Sequence, residues 1–305
     1  MFDSAARALS SVRDWLRFAV SRFNEAGLFF GHGSANAYDE AAYLILHTLH
    51  LPIDRLDPFL DARVLPEEAA KLADMLRQRV EKRLPAAYLT GEAWLQGYRF
   101  QVDERVIVPR SFLAPMILEQ FDPWLDQPER VQRALDLCTG SGCLAILLAE
   151  AFPEAEVDAA DLSADALEVA KRNVEDYGLD GRIELIQSDL FADLEDRTYD
   201  LIVSNPPYVD APAMAALPQE YRHEPEMALA SGHDGLDAVR AILHEAPKHL
   251  NPGGLLAVEI GHNREALEAA FPNLELMWPE VEWDADTLFL VHREQLLNGI
   301  NNGTI

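Results

Sequence analysis

Through the first quarter of the chain the apolar positions recur at helical rather than strand spacing. Leu9, Val12, Leu16, Phe18, Val20 and Phe23 predict an amphipathic helix from Ser4 to Phe23, with Gly27 as a stop. A second helix is predicted from Tyr38 to His50 ahead of Pro52, and a third from Pro66, a first-turn proline, to Leu84 ahead of Pro85. Together they predict a small helical domain over residues 1–90. The period changes between Trp94 and Val108, where Tyr98, Phe100 and Val102 share one face behind a Gln96-Gly97 turn; this predicts a linking β-hairpin within 91–110. Beyond it, strand-like runs at 133–139, 156–161, 182–189, 200–206, 253–261 and 287–293 alternate with helical segments such as Ala164–Tyr177 and Asp234–Leu250. That alternation predicts a doubly wound α/β sheet over 111–305, and the tail from Gln295 onward is expected to fray.

Composition narrows the class. With 305 residues, 49% of them hydrophobic, the chain can bury two ordinary cores. No stretch approaches the roughly 18 uncharged apolar residues that a membrane span requires, and Asp3 and Asp14 interrupt the N-terminus where a signal peptide would be apolar. The expectation is a soluble, cytoplasmic protein. Its two cysteines, Cys138 and Cys143, lie in one glycine-rich turn, which suits neither a disulfide framework nor a metal site. The formal charge of −27 is uneven: residues 1–90 carry 11 Lys+Arg against 12 Asp+Glu, and residues 91–305 carry 14 against 40. Such a surface repels phosphate backbones and draws in basic partners, so no direct nucleic-acid binding is expected.

The chemistry starts at Asp136-Leu-Cys-Thr-Gly140-Ser-Gly142, between the first predicted sheet strand and a helix, where glycines let a ligand approach the backbone. Asp161 ends the next strand 21 residues after Gly140, placed to accept hydrogen bonds from both hydroxyls of a ribose. Gly140-x-Gly142-x-x-Ala145 also fits a dinucleotide fingerprint, so a nicotinamide-dependent enzyme stands as a rival. Asp136 weighs against it, because a carboxylate there repels a pyrophosphate but accepts hydrogen bonds from the ammonium of S-adenosylmethionine. Asp189 and Leu190, after the third strand, suit an adenine amine and ring face; a simple loop-capping role is the alternative for Asp189.

After the apolar run Asp200-Leu-Ile-Val-Ser comes Asn205-Pro206-Pro207-Tyr208, at the strand end where open α/β sheets place ligands. An amide or aromatic amine nitrogen is a weak nucleophile because its lone pair is delocalised, and it must be held in line with the electrophile. The Asn205 side-chain carbonyl and the Pro206 backbone carbonyl can accept its two N–H groups, the prolines preorganise those acceptors, and Tyr208 can stack on the planar group. Asn205 would thus face both cofactor and substrate.

On these residues the chain resembles the Asn-Pro-Pro-Tyr amino-methyltransferases, and more narrowly the protein glutamine methyltransferase family that acts on release factors and on a ribosomal protein. The likeness extends to Tyr88-Leu-Thr-Gly-Glu92, Val108-Pro-Arg110, His223-Glu-Pro225, Ser231-Gly-His-Asp-Gly-Leu236, and Asn251-Pro-Gly-Gly254 leading to Glu259-Ile-Gly261. Gly91 through Val106 and Tyr208 through Pro225 favour the branch acting on large-subunit ribosomal protein three. Where the release-factor branch has Pro-Arg-Pro-Asp-Thr-Glu, this chain has Pro109-Arg-Ser-Phe-Leu-Ala114; Pro115-Met116 departs from the Glu-Leu pair of the ribosomal branch. The resemblance implies a seven-stranded, Rossmann-like class I methyltransferase sheet, a helical substrate-recognition domain, S-adenosylmethionine as cofactor and a basic ribosomal protein as partner. Phe100 and Arg110 would assist near the substrate, with ordinary interdomain packing as the alternative for both. Two rivals stand beside it: a DNA adenine methyltransferase, which the acidic charge disfavours, and an assembly factor that binds cofactor and partner without reacting.

Overall fold

A computed structural model of the chain describes residues 1–279 and 286–305. Two compact units divide the chain: one takes Met1–Ala93, Val102–Glu104 and Pro218–His223, the other Trp94–Gln101, Arg105–Leu217 and Glu224–Ile305.

The first unit is helical, built from α1 (Phe2–Ala8), α2 (Val12–Ala26), α3 (Ala37–Thr48), α4 (Pro66–Glu81) and α5 (Ala86–Thr90). The single first helix expected from the apolar spacing is two. Ser11 starts α2 as a reciprocal cap: its hydroxyl accepts from Asp14 N, and Asp14 Oδ2 accepts from Ser11 N at 3.0 Å and Ser10 N at 3.1 Å. Caps of this kind satisfy first-turn N–H groups that would otherwise lack partners. Gly27, left-handed at φ 57°, ends the helix where the sequence predicts. Trp15, Phe23, Leu44, Ile45, Leu72 and Leu76 are wholly buried in this unit's core.

That core also encloses charge. Arg79, Glu40 and Glu220 are each about 1% exposed. Arg79 Nε donates to Glu40 Oε1 at 2.6 Å, Nη1 reaches Glu220 Oε1 at 3.4 Å, and Nη2 donates to the Phe29 carbonyl at 2.9 Å. Glu220 Oε1 also accepts from Phe29 N at 3.1 Å and from Arg83 at 3.2 Å. Burial pushes Glu40 above the usual carboxyl value despite Arg79.

A two-stranded sheet follows, β1 (Glu92–Leu95) and β2 (Tyr98–Gln101). Gln96 and Gly97 both have positive φ, 52° and 82°, as tight hairpin turns require.

The second unit starts with α6 (Leu113–Leu118) and continues β3 (Arg133–Leu137), α7 (Cys143–Ala151), β4 (Glu156–Asp161), α8 (Ala164–Asp176), β5 (Ile183–Gln187), β6 (Tyr199–Ser204) and α9 (Ala211–Ala216). It ends with α10 (Asp237–His249), β7 (Leu250–Glu259), α11 (Arg264–Ala270), β8 (Leu288–His292) and α12 (Arg293–Asn301). The sheet order is β5-β4-β3-β6-β7-β8, parallel except for β8 against β7. Strand residues alternate between two cores, as a sheet covered on both faces requires. Ala134, Leu201, Val203, Leu255 and Ala257 pack with α6 and α7, whereas Leu135, Leu137, Ile202, Leu256 and Val258 pack with α10 and α12.

One expectation changes here. Among the described residues the sheet has six strands, and an isolated antiparallel bridge pairs Met277 with Leu290 of β8, next to residues 280–285, which lie outside the described residues. The tail does not fray: α12 buries Leu296, and Thr304 N donates to the Gly299 carbonyl at 2.8 Å, where bare glycine backbone lets Ile305 pack closely.

Candidate active site at the carboxyl edge of the sheet

Strand order reverses between β3 and β6, which are neighbours although β4 and β5 come between them in sequence. Open α/β sheets bind ligands at the carboxyl side of such a switch point. The glycine turn leaves the end of β3 and the Asn-Pro-Pro-Tyr segment leaves the end of β6. In register, Ser204 pairs with Leu137, and its hydroxyl donates to the Leu137 carbonyl at 2.8 Å. Asn205 and Cys138 are therefore each one residue beyond a paired rung, on the same edge.

The turn holds its shape through two carboxylates. Asp136 is fully buried; its Oδ2 accepts from Thr139 Oγ1 at 2.5 Å and Ala145 N at 3.0 Å, while Oδ1 has no hydrogen-bond partner among the described residues. Burial pushes this carboxyl up to about 7, with the Asp161 charge adding to the rise and the Thr139 and Ala145 bonds opposing it. Asp161 is half-buried at the end of β4, its Oδ2 accepting from Gly140 N at 2.8 Å and its Oδ1 from Ser163 N at 2.9 Å. Burial raises it too. Gly140, at φ 55°, faces open space where a side chain would begin; Gly142, at φ 78°, would bring a Cβ within 3.1 Å of the Ala170 Cβ. One glycine leaves room at the crevice, and the other lets α7 approach α8. Burial also raises both nearby thiols, Cys143 to about 12, so they stay neutral.

Asp189 is exposed two residues past Gln187, which pairs with Asp161 across β4 and β5. The edge thus carries Asp136, Asp161 and Asp189 in successive positions. Leu190, at φ 50°, is half-buried against the second core.

On the β6 side Asn205 is half-buried and Pro206 buried, while Pro207 and Tyr208 are half-buried. Among the described residues none bonds the Asn205 side chain or the Pro206 carbonyl. Tyr208 is held from several directions: Asn263 Nδ2 donates to its carbonyl at 2.6 Å, its hydroxyl lies 3.4 Å from Glu259 Oε1, and its ring lies against Gly261. Sequence reasoning assigned no role to Glu259, although a carboxylate ending the apolar run of β7 signals a costly, partnered burial.

Phe100 and Arg110, expected either near the substrate or in ordinary packing, both make contacts within the second unit. Phe100 is wholly buried, with its ring 5.9 Å from that of Tyr177, so it packs β2 onto the core and has no face for a ligand. Arg110 forks onto buried Glu224, with Nη2 to Oε2 at 2.7 Å, and Glu224 also accepts from Val108 N at 2.9 Å. Its guanidinium secures the loop ahead of α6.

The Asp136 environment gives a pH test. Its folded value lies above the unfolded carboxyl value near 3.8, so between these limits the folded chain keeps a proton that the unfolded chain has lost. This stabilisation is complete below the unfolded value and disappears as pH rises through about 7. Asp136→Asn cannot titrate; between pH 5 and 8 its urea midpoint should fall less than that of the wild type. Parallel curves would exclude this origin.

Residues 116–282 match the family profile described as Methyltransferase small domain. Ribosomal protein uL3 glutamine methyltransferase of Neisseria gonorrhoeae is 60% identical over 297 residues, 97% of this chain and 99% of its own. The proteins of the same name from Bordetella pertussis and Bradyrhizobium diazoefficiens are 58% and 50% identical, over 97% and 93% of this chain and 99% and 91% of theirs. With the glycine turn, the carboxylate edge and the Asn205 segment around one switch point, this chain belongs to the ribosomal protein uL3 glutamine methyltransferase family.

Proposed function

We propose that this protein methylates the side-chain amide nitrogen of a glutamine in ribosomal protein uL3, using S-adenosylmethionine, in the cytoplasm. One observation carries the reading: Asn205-Pro206-Pro207-Tyr208 leaves β6 beside the glycine turn of β3, at the switch point. The edge also fits the cofactor chemically. Asp136 has an oxygen without a partner among the described residues, and Asp161 uses two of roughly four acceptor sites, leaving capacity for hydroxyl donors. A carboxylate edge suits an ammonium- and sulfonium-bearing donor and opposes a pyrophosphate, which disfavours the dinucleotide rival.

Asp136, Gly140, Gly142, Asp161, Asp189 and Leu190 would hold this cofactor, which when bound supplies a methyl group activated by a sulfonium sulfur. Asn205 Oδ1 and the Pro206 carbonyl accept the two amide N–H groups of the target, orienting the nitrogen and raising its electron density. Pro207 limits backbone motion, and Tyr208 stacks on the amide plane. The methylated nitrogen is acidic enough to release its proton to water, so no strong general base is needed. The hairpin and helical unit supply partner recognition, supported by the 41% exposure of Trp94, and the −27 charge favours a basic substrate.

The test is incubation with labelled donor and, separately, uL3, a release factor and duplex DNA, followed by fragmentation to locate the label. Methylation at a uL3 glutamine is expected. Label confined to the release factor or DNA would overturn the substrate assignment, and binding without any transfer would favour a non-catalytic assembly factor.

A further inference from the structure

We propose that Glu259 is a positioning residue for the methyl transfer, locking the Tyr208 ring against the Glu259–Gly261 turn through its carboxylate. The proposal rests on the function assigned above to the Asn205 segment. Glu259 ends β7, the strand beside β6, and Ser204 pairs with Val258 one residue before it. The carboxylate therefore lies directly behind the tetrapeptide. It is buried, and its two oxygens serve different segments: Oε2 accepts from Ser111 Oγ at 2.6 Å and Phe112 N at 3.0 Å, while Oε1 faces the Tyr208 hydroxyl at 3.4 Å.

Shape completes the lock. Gly261 has φ 55°, and a Cβ there would lie 2.7 Å from a Tyr208 ring carbon, so only bare backbone lets the ring sit where it does. The Tyr208 carbonyl is held by Asn263 Nδ2 and backed by Gly235, where a Cβ would come within 2.5 Å of it. Burial pushes the Glu259 carboxyl up to about 7, opposed by the Ser111 and Phe112 hydrogen bonds, then by the Arg110 charge and the Tyr208 hydroxyl. An ionised carboxylate offers only acceptors, matching the three donors around it. A protonated one brings an additional donor into that group. Loss of the proton near neutrality thus tightens the hold on Tyr208.

The experiment uses the full chain with ¹³Cζ-labelled tyrosine, with the Tyr208 signal identified by its loss in Tyr208→Phe. Without donor or substrate, the signal should move with pH around an inflection near 7, and this inflection should vanish in Glu259→Gln. In turnover, Glu259→Gln should lower kcat about tenfold while KM for uL3 changes less than about threefold. Glu259→Gln combined with Tyr208→Phe should lose no more than the worse single variant, because both break one linkage. Glu259→Asp keeps the charge but shortens its reach, and should displace the Tyr208 signal; it carries the test if the glutamine variant does not fold. A Tyr208 signal flat from pH 5 to 9, an inflection persisting in Glu259→Gln, or losses that multiply would overturn the proposal. If the inflection behaves as expected while wild-type protein leaves uL3 unmethylated, the linkage stands and only the substrate assignment fails.

Discussion

Asn205→Ala should lower turnover by about 100-fold or more, the usual consequence of removing a preorganised acceptor or donor that acts in the transition state. The amide nitrogen of a target glutamine becomes nucleophilic only as its lone pair leaves conjugation. An acceptor for its N–H therefore gains strength along the reaction coordinate rather than on binding. KM for the protein substrate should accordingly change much less than kcat. The fold should survive, because no described residue bonds the Asn205 side chain. Single-turnover kinetics with saturating donor provide the measurement, and a variant within about threefold of wild type would remove Asn205 from the mechanism.

Arg79→Met destabilises the helical unit by about 3–5 kcal/mol, because it strands buried carboxylates that have lost their compensating cation. Glu40 is the more affected, since Arg79 makes both of its hydrogen bonds, whereas Glu220 keeps Arg83 and the Phe29 amide. For a unit of about 100 residues this shifts the midpoint by roughly 12 °C or more, which scanning calorimetry can resolve. Converting Glu40 and Glu220 to Leu alongside Arg79→Met should recover most of the loss, because an apolar replacement of a whole buried ionic group is tolerated far better than a broken one. A loss below about 1 kcal/mol for Arg79→Met alone would mean that water reaches the network.

The sheet was legible because its strands are short apolar runs bounded by turn residues, and because the chemistry-bearing residues stand at the carboxyl ends of those runs or just beyond them. Asp136, Asp161, Asp189 and Asn205 share an edge for that reason. Local chemistry overlooked in a periodic pattern explains the divided first helix: Ser11 and Asp14 carry the capping signal inside a run that otherwise reads as continuous. Phe100 illustrates a different limit. Alternation shows that a residue points inward, but not whether inward means a crevice or a core. The supports of Tyr208 come from Ser111, Gly235, Glu259, Gly261 and Asn263, which only the folded chain assembles, and no spacing rule links them. The seventh strand implied by the resemblance is represented among the described residues by the Met277–Leu290 bridge.

Pro218–His223 belongs to the helical unit although residues of the other unit precede and follow it in sequence. A fragment cut at residue 93 would lose Glu220, leaving Arg83 and the Phe29 amide without their shared acceptor. Dissection or domain exchange within this family therefore demands transplantation of all three stretches of the unit together; swapping the leading portion alone would yield a poorly folded chimera whatever its binding preference.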